Sequence, residues 1–320
     1  MEEKKMKKIL ILMLALVLAL GTFTACGGAA EEPGAAAAVT IGFASSNLND
    51  TGQTFIADAA TAYAAENKIT IDVQDAQEDV VKQQDQVNAL IAKGVNALVV
   101  VPVDTSAMGA ITDAAKAAGI PLVYVNRNPF GEATPPEGVY YIGSKEVVAG
   151  ELQGDALIKL MGETGGVAIL MGKLDNEAAV KRTEGNKNVL SKIPGITILA
   201  EETGNWQRDQ GMSLTENWLT AYGDKLNAIL ANNDEMALGA VQALKAAGRT
   251  DIMVIGVDAI PDAKTAVADG SLAGTVLQDL AGQGKTGMEI ALKVINGETP
   301  DQVTWIDFVS VTPENVADFK

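Results

Sequence analysis

Ala92-Lys93-Gly94-Val95-Asn96-Ala97-Leu98-Val99-Val100 and Ala117-Ala118-Gly119-Ile120-Pro121-Leu122-Val123-Tyr124-Val125 repeat one design. A helical stretch ends in small residues, a glycine able to take the left-handed stop conformation follows, and a short branched apolar run begins. The run is continuously apolar rather than alternating, as expected of a strand covered on both faces. Between 39 and 142 such runs occur at 39–44, 69–73, 97–101, 121–125 and 139–142, and a second series follows at 166–171, 196–200, 228–231, 253–257 and 274–277. Amphipathic stretches lie between them, at 55–66, 80–93, 107–118, 147–161, 177–191, 236–247 and 261–269. Strand alternating with helix implies right-handed crossovers and parallel sheets wrapped by helices. The sequence therefore predicts an α/β chain of two doubly wound, Rossmann-like lobes, with about five strands in each.

Composition narrows the function. The 320 residues carry 24 basic and 41 acidic side chains, a formal charge of −17, which opposes nucleic-acid binding. Histidine is absent, so a His-based triad, a His-ligated metal and a His proton switch are excluded. The single cysteine, Cys26, can form neither an internal disulfide nor a CxxC zinc site. Its surroundings are informative. Lys4, Lys5, Lys7 and Lys8 precede an apolar run of 12 residues, Ile9 to Leu20, too short to span a membrane. Phe23-Thr24-Ala25 then leads to Cys26, a pattern that resembles a bacterial lipoprotein signal. Residues 1–26 are expected to be that signal, with Cys26 lipidated, and 27–38 (GGAAEEPGAAAA) a flexible tether. Export follows. The acidic mature chain would be repelled by anionic membrane surfaces, so the lipid would hold it at the extracytoplasmic face.

In open parallel sheets ligands bind beyond the carboxyl ends of the strands. Here those ends carry polar residues: Ser45 to Asp50, Pro102 to Ser106, Asn126 and Arg127, Asn232 to Asp234, Asp258 and Gln278. Asp accepts, Arg donates in a planar fork, and Asn and Gln do both, a mixture that suits the hydroxyl groups of a neutral sugar. Trp206 could stack on the apolar face of a pyranose. Each Asn or Asp is equally open to a role as a helix N-cap, and Trp206 to one as a packed core aromatic.

The phrases Ala231-Asn232-Asn233-Asp234-Glu235-Met236-Ala237-Leu238-Gly239-Ala240, Ile255-Gly256-Val257-Asp258-Ala259 and Leu272-Ala273-Gly274-Thr275-Val276-Leu277-Gln278 resemble the periplasmic galactose/glucose- and ribose-binding proteins, the receptors of bacterial sugar ABC importers. Further matches run from Ile41-Gly42-Phe43 through 90–98 and Tyr141-Ile142-Gly143-Ser144, so the likeness spans nearly the whole mature chain. The resemblance implies two lobes, 39–142 plus 280–305 and 143–279 plus 306–320. Three hinge crossings would lie near 141–144, 278–282 and 305–308. It implies ligand contacts from Asp50, Asn126, Arg127, Arg182, Trp206, Asn233, Asp258 and Gln278, with no catalytic residue, metal or cofactor. It also implies a monomer that hands a monosaccharide to a membrane permease, or reports to a chemoreceptor. An inositol, another polyol or a nucleoside remains an alternative ligand.

The chain departs from the family pattern in places. Thr51-Gly52-Gln53-Thr54 stands where an aromatic usually follows Asp50, and Asn176 lies near the position of the galactose-type histidine. The 162–166 segment is too short for the galactose-type calcium loop. Gly282-Gln283-Gly284-Lys285-Thr286-Gly287 spells GxGxxG, but it falls inside a helical pattern; its glycines are expected to let helices approach closely. No GxSxG elbow is present, so an enzyme is disfavoured, and a transcription regulator would need a DNA-binding helix pair where the signal and tether stand.

Overall fold

The structure is a computed structural model that describes Val39–Phe319. The signal, the tether and Cys26 lie outside the described residues. The chain runs β1 (Thr40–Ser45), α1 (Thr51–Glu66), β2 (Thr70–Asp75), α2 (Val80–Ala92), β3 (Ala97–Val100), α3 (Gly109–Ala118), β4 (Leu122–Val125) and β5 (Val139–Gly143). It continues with α4 (Glu146–Met161), β6 (Thr164–Met171), α5 (Glu177–Leu190), β7 (Gly195–Thr203), α6 (Arg208–Tyr222), β8 (Leu226–Ala231), α7 (Asp234–Ala246), β9 (Met253–Ile255) and α8 (Pro261–Ala268). It closes with β10 (Thr275–Leu277), α9 (Leu280–Ile295), β11 (Val303–Trp305) and β12 (Val309–Val311).

Two parallel sheets form the frame. The first has the order β11-β5-β4-β3-β1-β2 and the second β7-β6-β8-β9. The order β2-β1-β3-β4 of the first is repeated by β7-β6-β8-β9 of the second, a repeat of architecture without a repeat of sequence. Both sheets are covered on both faces. In the first, Ile41, Phe43, Val99 and Val123 pack with Ile56 and Ala60 of α1 and with Met288 and Ala291 of α9. On the opposite face Leu98, Val100, Leu122 and Tyr124 pack with Leu90 of α2 and Ile111 of α3. In the second, Ala168, Leu170, Ile229 and Val254 meet Trp218 of α6 and Ala240 of α7. Val167, Ala228 and Leu230 meet Leu157 of α4 and Leu190 of α5 on the reverse face. This two-sided burial is why the strands read as unbroken apolar runs.

The structure corrects the predicted elements at several points. The strand predicted at 274–277 does not extend the second sheet in full. As β10 it pairs antiparallel with β12, and it runs beside β9 and the residues after it through the bridges Ile255–Gly274 and Asp258–Leu277 and the backbone bonds between them. Strands β11 and β12 and helix α6 were not anticipated. The chain passes between sheets after β5, again between β10 and α9, and again between β11 and β12. Gly284, inside the GxGxxG phrase, lies in α9 where an added Cβ would overlap the carbonyl oxygen of Ile56 in α1. The glycine permits this close helix contact.

Candidate functional site

The carboxyl ends of both sheets face each other across a small cavity of about 40 Å³. All eight residues expected to contact ligand line it: Asp50, Asn126, Arg127, Arg182, Trp206, Asn233, Asp258 and Gln278. Gly52, Gln53, Ala178 and Leu280 complete the lining.

The first lobe supplies Asp50, Gln53, Asn126 and Arg127. Asp50 is the N-cap of α1, its Oδ1 accepting from the Gln53 N–H at 3.0 Å, so capping and cavity-lining are combined in one residue. Burial raises its carboxyl above the ordinary range, against the opposing pull of Arg127. Arg127 follows β4 and is 4% exposed, with Nη1 donating to the Pro102 carbonyl at 2.8 Å. Burial lowers its guanidinium, and the charges of Asp50 and Glu78 counteract this. Asn126, at φ 69°, holds a left-handed backbone that turns its side chain back over the sheet end. The Tyr141 hydroxyl donates to its carbonyl at 2.9 Å and secures that turn.

The second lobe supplies a tighter charged network. Arg182, on α5, donates through Nε to Glu146 at 2.7 Å and through Nη2 to Gln278 Oε1 at 3.0 Å. Its Nη1 donates to the Asn232 carbonyl and lies 3.6 Å from Asp258. Gln278 closes the ring, its Nε2 donating to Glu146 Oε1 at 2.9 Å. Burial acts to lower the Arg182 guanidinium, but Glu146 and Asp258 outweigh it and the net direction is upward. Three of the five guanidinium N–H groups are thus held by protein, and two remain. Asp258 is different. Its side chain has no hydrogen-bond partner among the described residues. Burial raises its carboxyl well above the ordinary range, eased by Arg182 and reinforced by Asp234. It stands at φ 116°, with Ala259 at 56°; Trp206 is also left-handed at 68°. Non-glycine backbone of this kind is costly and gathers at functional sites.

Trp206 is 8% exposed and belongs both to the second-lobe core and to the cavity wall. Its ring lies so close over Gly172 that any Cβ there would overlap it. Its Nε1 donates to Asn176 Oδ1 at 3.0 Å, and Asn176 Nδ2 donates across the cleft to the Val103 carbonyl at 2.9 Å. Asn176, near the position of the galactose-type histidine, therefore lies behind the cavity and steadies the aromatic. Asn233 caps α7, accepting from Met236 N–H at 3.0 Å, and donates to the Trp206 carbonyl at 3.2 Å.

Sequence reasoning missed Glu146 and Gln53. Glu146 is 2% exposed just after β5, so the rule about strand ends could have flagged it. Gln53 is one turn beyond Asp50. Nearby, Glu177 at the start of α5 has an Oε2 that is buried without a partner. Burial, with the charge of Glu146, pushes its carboxyl up to about 8.

Residues 41–299 match the periplasmic binding protein domain. A putative rhizopine-binding protein of Rhizobium meliloti is 43% identical, over 89% of this chain and 94% of that protein. The chain belongs to the periplasmic binding protein family. The ribose import binding protein of Salmonella typhimurium is 34% identical, over 92% of this chain and 94% of its own length. An ABC transporter solute-binding protein from Bacillus halodurans, solved with bound myo-inositol, superposes with a TM-score of 0.81 at 38% identity, covering 88% of this chain and 96% of that one. As a periplasmic binding protein the chain is an exported solute receptor rather than an enzyme, with its fold of two lobes around a ligand cleft. No helix among the described residues is long and apolar enough to cross a membrane.

Proposed function

We propose that this periplasmic binding protein captures a neutral polyhydroxylated ligand, a monosaccharide or a cyclitol, and delivers it as a monomer to an ABC permease. The observation that carries this reading is the charge arrangement of the cavity. Arg127 shares the first-lobe wall with Asp50, and Arg182 pairs with Glu146 and lies 3.6 Å from Asp258. A carboxyl group thus stands on the same wall as each arginine, which disfavours an anionic ligand, while hydrogen-bonding groups surround a single stacking aromatic, Trp206. Relatives named for rhizopine, xylitol and ribose, and a neighbour holding myo-inositol, support a polyol of this kind.

The proposed contacts are Asp50, Asn126, Arg127, Arg182, Trp206, Asn233, Asp258 and Gln278. The proposed moving bodies are 39–142 with 280–305, and 143–279 with 306–320. A ligand that bonds both walls shifts the population toward the closed form, which docks on the permease. The Phe23-Thr24-Ala25-Cys26 pattern supports a lipid on Cys26 as the membrane tether; Cys26→Ser should release the protein from membranes on fractionation. The ligand class is tested by a thermal-shift screen of pentoses, hexoses, inositols and nucleosides. Stabilisation by sugars or inositols is expected, and stabilisation by nucleosides alone would sink the reading.

A further inference from the structure

Gln53 lines the first-lobe wall of the cavity at 5% exposure. Its Nε2 donates to Asn126 Oδ1 at 3.4 Å, but its Oε1 is buried and has no partner among the described residues. A buried amide oxygen without a donor is unfavourable, and native structures keep few of them. The direction of its amide follows from a relay behind it. Asn126 Nδ2 donates to Gln283 Oε1 at 2.9 Å, and Gln283 Nε2 donates to Ser144 Oγ at 3.1 Å. Each hydrogen bond in this chain of amides runs from the cavity toward Ser144, at the first hinge crossing. The end that is left for the cavity is an acceptor. Asp50 beside it is another, and this wall has no aromatic among its lining residues.

We propose that Gln53 is a specificity-determining ligand contact. Its Oε1 accepts a hydrogen bond from a hydroxyl or amine hydrogen that the ligand presents to the first lobe. The site thereby selects polyols that bring a donor to this wall and rejects those with only carbon or ether oxygen there. The inference rests on the polyol reading above and adds to it the side of the ring that must carry the donor. A site that hydrogen-bonds a ligand hydroxyl discriminates strongly against an analogue without it, because the protein group is then left unpaired.

The test is calorimetry of wild type and Gln53→Met with myo-inositol, D-ribose and D-galactose, and with the monodeoxyfluoro analogues of each. Fluorine keeps the size of the hydroxyl and cannot donate. For a parent compound that binds, one analogue should bind wild type at least about tenfold more weakly than the parent, and in Gln53→Met that same ratio should fall to within about twofold. Ratios unchanged in Gln53→Met would overturn the role of Gln53 while leaving the polyol reading intact. Any other pentose, hexose or inositol that stabilises wild type in the thermal-shift screen is carried through the same comparison, and if none does, both fall together. A crystal structure of wild type with the bound parent serves without the variant: no ligand donor within 3.5 Å of Gln53 Oε1 would equally overturn the proposal.

Discussion

The two walls of the cleft are built on opposite plans. The second-lobe wall is a charged network closed on itself, in which Glu146, Arg182 and Gln278 bond one another and each is under 5% exposed. The first-lobe wall also carries charge, in Asp50 and Arg127, but these are not joined in a closed network, and its link toward the hinge is a line of neutral amides, Gln53, Asn126 and Gln283. The first plan creates a rigid, preorganised face, since a buried charge is tolerated only when every partner stays in place. The second plan leaves acceptors open at the cavity. The difference implies that substitutions in the second lobe act largely through stability, whereas those in the first act through ligand choice.

The comparison breaks most visibly at Glu146. Glu146→Ala leaves Arg182 buried without its nearest counter-charge. We expect a loss of about 3 kcal/mol, read as a fall of roughly 6–10 °C in melting temperature without ligand. A variant that melted like wild type would show that Asp258 alone can hold the guanidinium, and the two walls would not differ as described.

Asp258 sharpens it from the other side. This carboxylate belongs to the charged wall by position but has no side-chain hydrogen bond among the described residues and is held in an unfavourable environment by burial. Asp258→Ala should weaken ligand binding at least about tenfold, because donors on the ligand lose a buried acceptor. Melting of the unliganded protein should not fall, since a burdened group has been removed. Unchanged affinity in calorimetry would remove Asp258 from the contacts.

Glu177 tests the charged wall through pH. Its folded-state pKa of about 8 stands above the ordinary value of 4.5, because burial and the nearby Glu146 disfavour its charge. The folded protein therefore binds this proton more tightly than the unfolded chain. The associated stability is fully present below pH 4.5, declines as pH rises, and is lost above about 8. Glu177→Gln removes the ionisation, so its gain in melting temperature over wild type should be larger at pH 9 than at pH 5. An equal difference at both values would place Glu177 in contact with solvent.

Much of this organisation was legible in the sequence, and the parts that were not share a cause. Strands buried on both faces leave unbroken apolar runs, and strand ends with polar residues marked both walls, from Asp50 to Gln278. Helix α6 escaped notice because its sequence, RDQGMSLTENWLTAY, buries only Gly211, Thr215 and Trp218 and has a weak apolar pattern. Strands β11 and β12 are three residues each, too short for a period to show. The bond from Gln278 to Glu146 joins residues 132 apart, and no local reading reveals such a pair. Asp50 and Asn233 could be read either as caps or as ligand contacts; in the structure each caps a helix and also faces the cavity, so the choice was never exclusive.

The smallest expected effect lies where the walls meet at the rim. Lys173 of the second lobe pairs with Glu78 of the first at 2.7 Å, with both side chains over a quarter exposed. Pairs this accessible contribute about 0–1 kcal/mol and are screened by salt. Lys173→Met should therefore weaken ligand affinity less than about fivefold at low ionic strength, and the difference should disappear in high salt. A larger, salt-independent loss would mean that the rim holds the lobes shut by itself. That outcome would conflict with the logic of the cleft. A ligand shifts an equilibrium only by its preference for one state, so a receptor latched shut without ligand would gain little from binding it. A weak rim pair leaves closure to the contacts inside, where the acceptors of the first wall and the charged scaffold of the second need the same molecule between them.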